Sequence, residues 1–235
     1  MTNRPLGPIV PDWTPAADPA GLDLTGHHAN LRPLDAADAM GLWKVFEGAD
    51  WVWDYLYEPA PPDFDTFARI ISGVAARGES PAYVVRPEGG NEPLGYLTFY
   101  TVVRESGNIE IGNVNFSPAL QGTAFATEAF SLMLRWAFGH GYRRVEWKCN
   151  ALNAPSRRAA QRLGFSFEGV FRQHLVVKGR NRDTAWLAMT DGDWNRIGPA
   201  HDAWLSPGNF DASGAQRQSL AALTWPHLAT RDPSV

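Results

Sequence analysis

Residues 109–138 read IEIGNVNFSPALQGTAFATEAFSLMLRWAF, and this stretch decides the fold. Ile109, Ile111, Val114 and Phe116 form a β-rich run, which Ser117-Pro118 ends because proline brings no amide hydrogen to a ladder. Beyond the turn, Phe125, Ala129, Leu132, Met133, Trp136 and Ala137 recur at helical spacing, with Thr127 and Glu128 polar near the start. The small-residue loop Gln121-Gly122-Thr123-Ala124-Phe125-Ala126 therefore opens a helix directly after a strand. A helix start exposes unpaired amide hydrogens and the positive end of the dipole, and small residues let a phosphate approach that backbone. The dipole alone stabilises an anion there by roughly 0.3–1 kcal/mol. The loop reads as a pyrophosphate cradle.

Working outward, the N-terminal side carries three short-linked strands. They are Pro81–Arg86, Leu94–Tyr100 and the run just quoted, joined by turns at Glu88–Asn91 and Glu105–Asn108, an antiparallel meander. Before them, a lead-in strand spans Gly26–Leu34, Asp35 caps a helix with Ala39, Leu42, Trp43 and Phe46, and Asp63 begins a second helix ending near Gly78. His27 and His28 are adjacent and point to opposite faces of a strand, a solvated strand start rather than a metal site. Residues 1–23 are rich in Pro, Asp and Gly around an isolated Trp13 and form an arm without its own core. On the C-terminal side, Gly139-His140-Gly141 stops the helix and Arg143–Asn150 is a strand. Asn153 caps a further helix that Gly164 closes, and Ser166–Val177 and Asp183–Thr190 are strands about the turn Lys178–Asn181. Helical pieces follow at Trp194–Leu205 and Gln216–Leu223, packed as a tail on the domain.

The loop at 121–126 resembles the acyl-CoA-binding signature of the GNAT acetyltransferase superfamily, Gln/Arg-x-x-Gly-x-Gly/Ala. Gln121 stands first, Ala124 stands where Gly is usual, and Ala126 stands last. Thr127-Glu128-Ala129 is similar to the RimJ/RimL branch, the ribosomal-protein N-terminal acetyltransferases and their relatives. A second block in the family's order supports this: Val145–Asn150, Asn153-Ala154-Pro155-Ser156-Arg157, and Arg162-Leu163-Gly164-Phe165. The resemblance covers roughly residues 26–195. It implies an α/β (α+β) GNAT fold, a mixed, mostly antiparallel twisted sheet of six to seven strands flanked by helices, with a C-terminal helical extension. The expected division is an arm at 1–23, the acetyltransferase domain at 24–195 and the extension at 196–235.

The activity implied is transfer of the acetyl group of the cosubstrate acetyl-CoA to a primary amine by direct attack in a ternary complex, without a metal. Such transfer needs a neutral amine, a held thioester carbonyl and a stabilised thiolate, and positioning can supply most of the rate. By resemblance, Glu110 takes the amine proton. Backbone around Asn115, Phe116 and Ser117 polarises the thioester carbonyl, and Gln121, Gly122, Thr123, Ala124, Phe125, Ala126 and Thr127 hold the pyrophosphate. Asn150 and Asn153 serve the pantetheine arm, and Arg157 and Arg158 add charge near the adenosine 3′-phosphate, with ordinary solvation as the competing reading. Many relatives protonate the thiolate with a Tyr four residues before the Gly that ends the second helix; here that position is Ala160, and Ser156 is either the substitute suggested by the Asn-x-x-Ser motif or a cap in the first turn of that helix. Ala124 would cost about 1 kcal/mol if its position required φ above zero, and nothing if only smallness is needed. Trp51, Trp53 and Tyr55, in an aromatic-rich run from Trp43 to Phe64, are the candidates for the acceptor pocket; core packing is the competing reading.

Composition sets the limits. The chain has 235 residues, one cysteine (Cys149) and a net charge of −4. That excludes an intramolecular disulfide and a cysteine-rich zinc site, and gives no global electrostatic case for nucleic acid or an anionic membrane. No segment has the apolar core of a signal peptide or the length of a membrane helix, so a cytoplasmic enzyme is expected. The expected acceptor is a small-molecule or peptide amine, whether a protein N-terminus, an amino acid or other small amine, or an aminoacyl nucleotide, and the resemblance allows a homodimer. A protein of the same fold that only senses CoA or binds a partner is the alternative, permitted by Ala124 and the absent Tyr. The retained Glu110, Gln121-Gly122 and Asn-x-x-Ser set argues against it.

Overall fold

The computed structural model describes residues 4–235. Eight strands form one sheet in the order β1-β2-β3-β4-β5-β6-β8-β7. They are β1 (Leu24–Thr25), β2 (Ala29–Pro33), β3 (Ala82–Pro87), β4 (Gly95–Val103), β5 (Asn108–Phe116), β6 (Arg144–Asn150), β7 (Ser166–Val177) and β8 (Arg180–Thr190). Every neighbouring pair is antiparallel except β5 with β6. The sheet exceeds the six to seven strands expected because Leu24 and Thr25 fold back on Leu31 and Asn30 as a two-residue hairpin arm, too short to leave a periodic signal.

Two layers of helix cover the sheet. On one face, α1 (Ala39–Val45) and α2 (Phe64–Ala75) bury Leu42, Phe67 and Ile71 against Val84 and Tyr96. Asp35 caps the helical turn before α1 in a reciprocal box with Asp38, and Asp63 caps α2 through Thr66 N at 2.7 Å. The other face carries α3 (Ala124–Gly139), α4 (Ala154–Arg162), α5 (Asp191–Leu205) and α6 (Leu220–Thr224). There Ile109, Ile111, Met133, Leu134, Trp147 and Phe165 form the main core. Among the described residues no helix is long and apolar enough to cross a membrane.

The arm is tied down by polar contacts rather than by a core of its own, although Ala16 enters the main one. Residues 1–3 of the expected arm lie outside the described residues. Trp13 is not isolated: its indole donates to Glu105 O at 2.9 Å, and its ring lies where a side chain on Gly107 would be. Tyr142 Oη donates to Ala17 O at 2.8 Å and Arg104 Nε to Ala16 O at 2.8 Å.

Glu128 fixes α3 to the sheet. Its side chain is buried and accepts from three successive backbone amides, His27 at 2.9 Å, His28 at 2.6 Å and Ala29 at 2.8 Å. Gly26 is bare because a Cβ there would lie 2.4 Å from that carboxylate. The His pair thus serves through its backbone, which no side-chain pattern reveals. Replacing Glu128 by Ala leaves three amides unanswered and is expected to lower unfolding free energy by about 3 kcal/mol. Urea denaturation measures this, and an unchanged midpoint would show that the anchor carries no weight.

Candidate active site

The site begins where β5 and β6 part. Their parallel ladder consists of Asn108 with Arg144, Ile109 with Val145 and Glu110 with Glu146, and goes no further. Two residues later β5 bulges against β4, with Thr98 opposite Gly112 but Tyr96 opposite Asn115. Asn113 takes up the extra residue in the left-handed region at φ +46°, a conformation asparagine tolerates better than most side chains. The bulge turns β5 away from β6, and from Ile111 onward the gap-side edge of β5 has no strand partner among the described residues.

A cavity of about 150 Å3 fills the gap, lined by Glu110, Gly112, Asn113 and Val114 from β5 and by Trp147, Lys148, Cys149 and Asn150 from β6. Tyr55, Leu56, Tyr57, Tyr100, Asn153, Ser156 and Arg182 are among the other lining residues. A larger cavity of about 430 Å3 lies beside the first toward α2 and shares Leu56, Tyr57, Tyr100 and Asn113 with it. Along β6, Val145, Trp147 and Cys149 pack toward α3 and α4, whereas Glu146, Lys148 and Asn150 alternate to the α1–α2 face. The cavity therefore reaches both faces of the sheet.

On the α1–α2 side, Glu110 is 6% exposed, and its Oε2 accepts from Thr101 Oγ1 at 2.9 Å and Lys148 Nζ at 3.1 Å. Gly112 leaves room beside its other oxygen, since a Cβ there would lie 3.1 Å from Oε1. Lys148 also meets Glu146 at 2.9 Å and lies 4.2 Å above the Trp186 ring. Burial pulls the Lys148 pKa down, but the Glu110 and Glu146 carboxylates outweigh it and hold the ammonium above its ordinary value. Arg144 continues the line of charges with a bidentate pair to Glu168 at 2.7 and 2.6 Å.

On the α3–α4 side, Ser156 Oγ accepts from Trp147 Nε1 at 3.0 Å, which leaves its own hydroxyl hydrogen to donate, with the Cys149 thiol as its neighbour. The cap of α4 is Asn153, whose Oδ1 accepts from Ser156 N at 3.1 Å, and Ser156 is not needed for it. Burial pushes the neighbouring Cys149 thiol up, which keeps it protonated. Asn150 braces its turn by accepting from Leu152 N at 2.9 Å.

The loop before α3 has the backbone the sequence suggests. Gly122 adopts φ +74°, Thr123 caps the helix through Ala126 N at 3.2 Å, and Ala124 is its first residue with an ordinary helical φ. Only smallness is asked of Ala124. Gln121 Nε2 turns inward to Phe116 O at 2.8 Å, bracing the loop. Among the described residues the amides of Gly122, Ala124 and Phe125 have no acceptor. Beside them lies a cavity of about 380 Å3 whose other walls include Arg162, Trp204, Phe210 and Gln216 from α4 and the C-terminal segment. Arg162 Nη2 donates to Thr127 Oγ1 at 3.1 Å, and burial lowers its pKa. The buried Asn115 Oδ1 and Ser117 Oγ, near the end of β5, have no partner among the described residues. A ligand with both phosphates and amide donors suits this set.

Other sequence candidates lie elsewhere. Arg157 is committed to a buried ion pair with Asp232 and to Ala151 O at 2.9 Å, away from the cavities. Trp51 is 53% exposed and lines no cavity described here, and Trp53 packs on Phe46 with ring centroids 5.1 Å apart while touching the larger cavity. Tyr55 alone of the three lines the gap. Sequence reasoning did not single out Tyr57, Tyr100, Lys148 or Arg182. The β6–β8 register that aligns Lys148 with Trp186 and Asn150 with Thr184 was the only signal for the last. Among the described residues no group of three His, Cys, Asp or Glu side chains is placed to share a metal ion.

With this geometry in view, comparison with known proteins is decisive for the family. The profile of the acetyltransferase (GNAT) domain matches residues 28–166. The structure of a GCN5-related N-acetyltransferase from Brucella melitensis is 36% identical with a TM-score of 0.88, over 92% of this chain and 99% of that one. A probable acetyltransferase of the GNAT family from Chromobacterium violaceum is 41% identical with a TM-score of 0.78, over 82% and 98%. The chain belongs to the GNAT family and is an N-acetyltransferase by that membership. Its likeness to RimJ of Mycobacterium smegmatis, solved in complex with CoA-disulfide, is one of fold: 23% identity and a TM-score of 0.64 over 78% of this chain and 94% of that one.

The loop geometry makes Ala124→Glu a sharp test. The new carboxylate would stand among the free amides of the helix start, and acetyl-CoA affinity is expected to fall more than tenfold without loss of thermal stability. Calorimetric titration reads it, and undiminished affinity would remove the loop from phosphate binding.

Proposed function

We propose that this acetyltransferase moves the acetyl group of acetyl-CoA onto a small-molecule or peptide primary amine by direct attack in a ternary complex. The observation that carries the proposal is one cavity reaching both faces of the sheet, with a buried carboxylate toward one face and an available hydroxyl hydrogen toward the other. Acetyl-CoA supplies an acetyl thioester, whose carbonyl carbon forms the new C–N bond as the C–S bond breaks.

In this reading the phosphates rest on the amides of Gly122, Ala124 and Phe125, and the pantetheine arm follows the open edge of β5. Asn115, Phe116 and Ser117 hold its amide and carbonyl groups, with Asn150 and Asn153 on the opposite wall. The amine enters from the α1–α2 side beside Tyr55. Glu110 takes its proton at Oε1, directly or through a water, while Thr101 and Lys148 hold Oε2 and set the carboxylate's direction. Ser156 donates its hydroxyl hydrogen to the sulfur, stabilising the departing thiolate in place of the missing Tyr. Residues 24–195 hold both reacting groups, and the extension at 196–235 closes the phosphate end through Trp204 and Phe210.

Thiol release from acetyl-CoA against a panel of primary amines tests the reading. Glu110→Gln is expected to lower kcat by about 10²- to 10⁴-fold while acetyl-CoA affinity stays within about twofold. Wild-type turnover by the variant would take Glu110 out of the proton path.

A further inference from the structure

The walls of the two neighbouring cavities carry four cationic side chains, Arg69, Arg77, Lys148 and Arg182, against two carboxylates, Glu58 and Glu110. The chain as a whole has a net charge of −4, so the positive balance is local. Lys148 is answered by Glu110 and Glu146. Arg182 is not answered. It is 6% exposed, and among the described residues no carboxylate lies within ion-pair distance and its buried Nε has no hydrogen-bond partner. Its guanidinium lies 4.7 Å from the centre of the Tyr57 ring. Burial of an uncompensated ion is strongly unfavourable, and a fold that keeps one inside a cavity is prepared for an incoming counter-charge.

Register fixes which side of the sheet that charge serves. Asn150, the last residue of β6, pairs with Thr184, and Arg182 precedes Thr184 by two residues on β8, on the same face as Trp186 and Lys148. Arg182 therefore overhangs the gap from the α1–α2 side, the face opposite α3 and its free amides. The segment that brings Tyr57 over it is held by Lys178 at the β7–β8 turn, whose Nζ donates to Trp53 O at 2.7 Å and Asp54 O at 3.2 Å. Tyr100 lies in the same field. Burial holds its phenol above the ordinary tyrosine pKa, with Glu110 acting in the same direction and Arg77 and Arg182 against it, so the hydroxyl remains a neutral donor.

We propose that the acceptor is an amine that also carries a carboxylate, which Arg182 binds above Tyr57 while Arg69 and Arg77 line the larger cavity. The proposal rests on the transferase reading above and adds which amines are taken. A positive cavity serves both ends of such a molecule: it attracts the carboxylate and favours the uncharged form of the amine that must attack. A free amino acid and a peptide with an acidic residue next to its N-terminus share this chemistry.

The test compares kcat/KM for free amino acids, the corresponding amino-acid amides, and peptide amides with an acidic or neutral second residue. Carboxylate-bearing amines are expected to be favoured at least tenfold over their neutral counterparts, and the arm that shows the preference names the source. Arg182→Gln should reduce the preference below about threefold, and Arg182→Lys should restore part of it, mostly through KM. Neutral amines used as well as carboxylate-bearing ones, or a preference that survives Arg182→Gln, would overturn the assignment while leaving acetyl transfer intact. If no amine is acetylated, the transferase reading fails on its own, and calorimetry with N-acetylglycine and N-acetylglycinamide still reads the site. Binding of the acid alone, lost in Arg182→Gln, upholds it, whereas equal binding of both, or none, overturns it.

Discussion

Three residue pairs hold β5 to β6, and the separation of the two strands beyond Glu110 and Glu146 is the constraint on which the rest depends. A sheet normally closes every ladder, because an unpaired backbone edge inside a protein is costly. Here the edge is opened by the bulge at Gly112–Val114 and left open. In the proposed binding mode, a chain with amide and carbonyl groups laid along that edge would complete the missing ladder and bring its reactive end beside Glu110. The same separation lets one cavity reach both faces, so that a proton acceptor and a hydroxyl donor can flank a reacting carbonyl without touching one another.

An open sheet needs bracing, and the bracing comes from far along the chain. Glu128 gathers the amides of residues 27–29 and so sets the start of α3 against β2. Lys178 pins the 53–58 segment over the cavity mouth. The C-terminal segment locks onto α4 through the buried Arg157–Asp232 pair and onto β7 through Ala229 N to Ser166 Oγ at 2.9 Å. Buried pairs of this kind confer little net stability but are strongly destabilising to break. Each brace joins elements the gap would otherwise leave free to shift.

How much of this was legible depended on the range of the interaction. The order of strands and helices, the Asp63 and Asn153 caps and the helix start after Gly122 are written in neighbouring residues, and all are found in the structure. Glu110 and Ser156, 46 positions apart in sequence, line one cavity because the motif order carried their placement. What was hidden involves partners set by the final fold. Arg157 looked free for a phosphate, yet its counter-charge is Asp232, 75 residues away. Trp13 had no periodic neighbour and packs on Gly107. Arg182 sits in an alternating strand whose face cannot be assigned until β8 is paired with β6, and a one-residue slip would have turned it to the opposite face.

Hydrogen–deuterium exchange with and without saturating acetyl-CoA measures the opened edge directly. Slowed exchange confined to the backbone of residues 111–116 and 122–126, with smaller effects along 147–153, is the expected result, since those amides gain a ligand in place of a strand or a helical turn. Acetyl-CoA that binds yet leaves both segments exchanging as before, with protection elsewhere, would contradict the assignment of the gap between β5 and β6 as the place where the acetyl group is held.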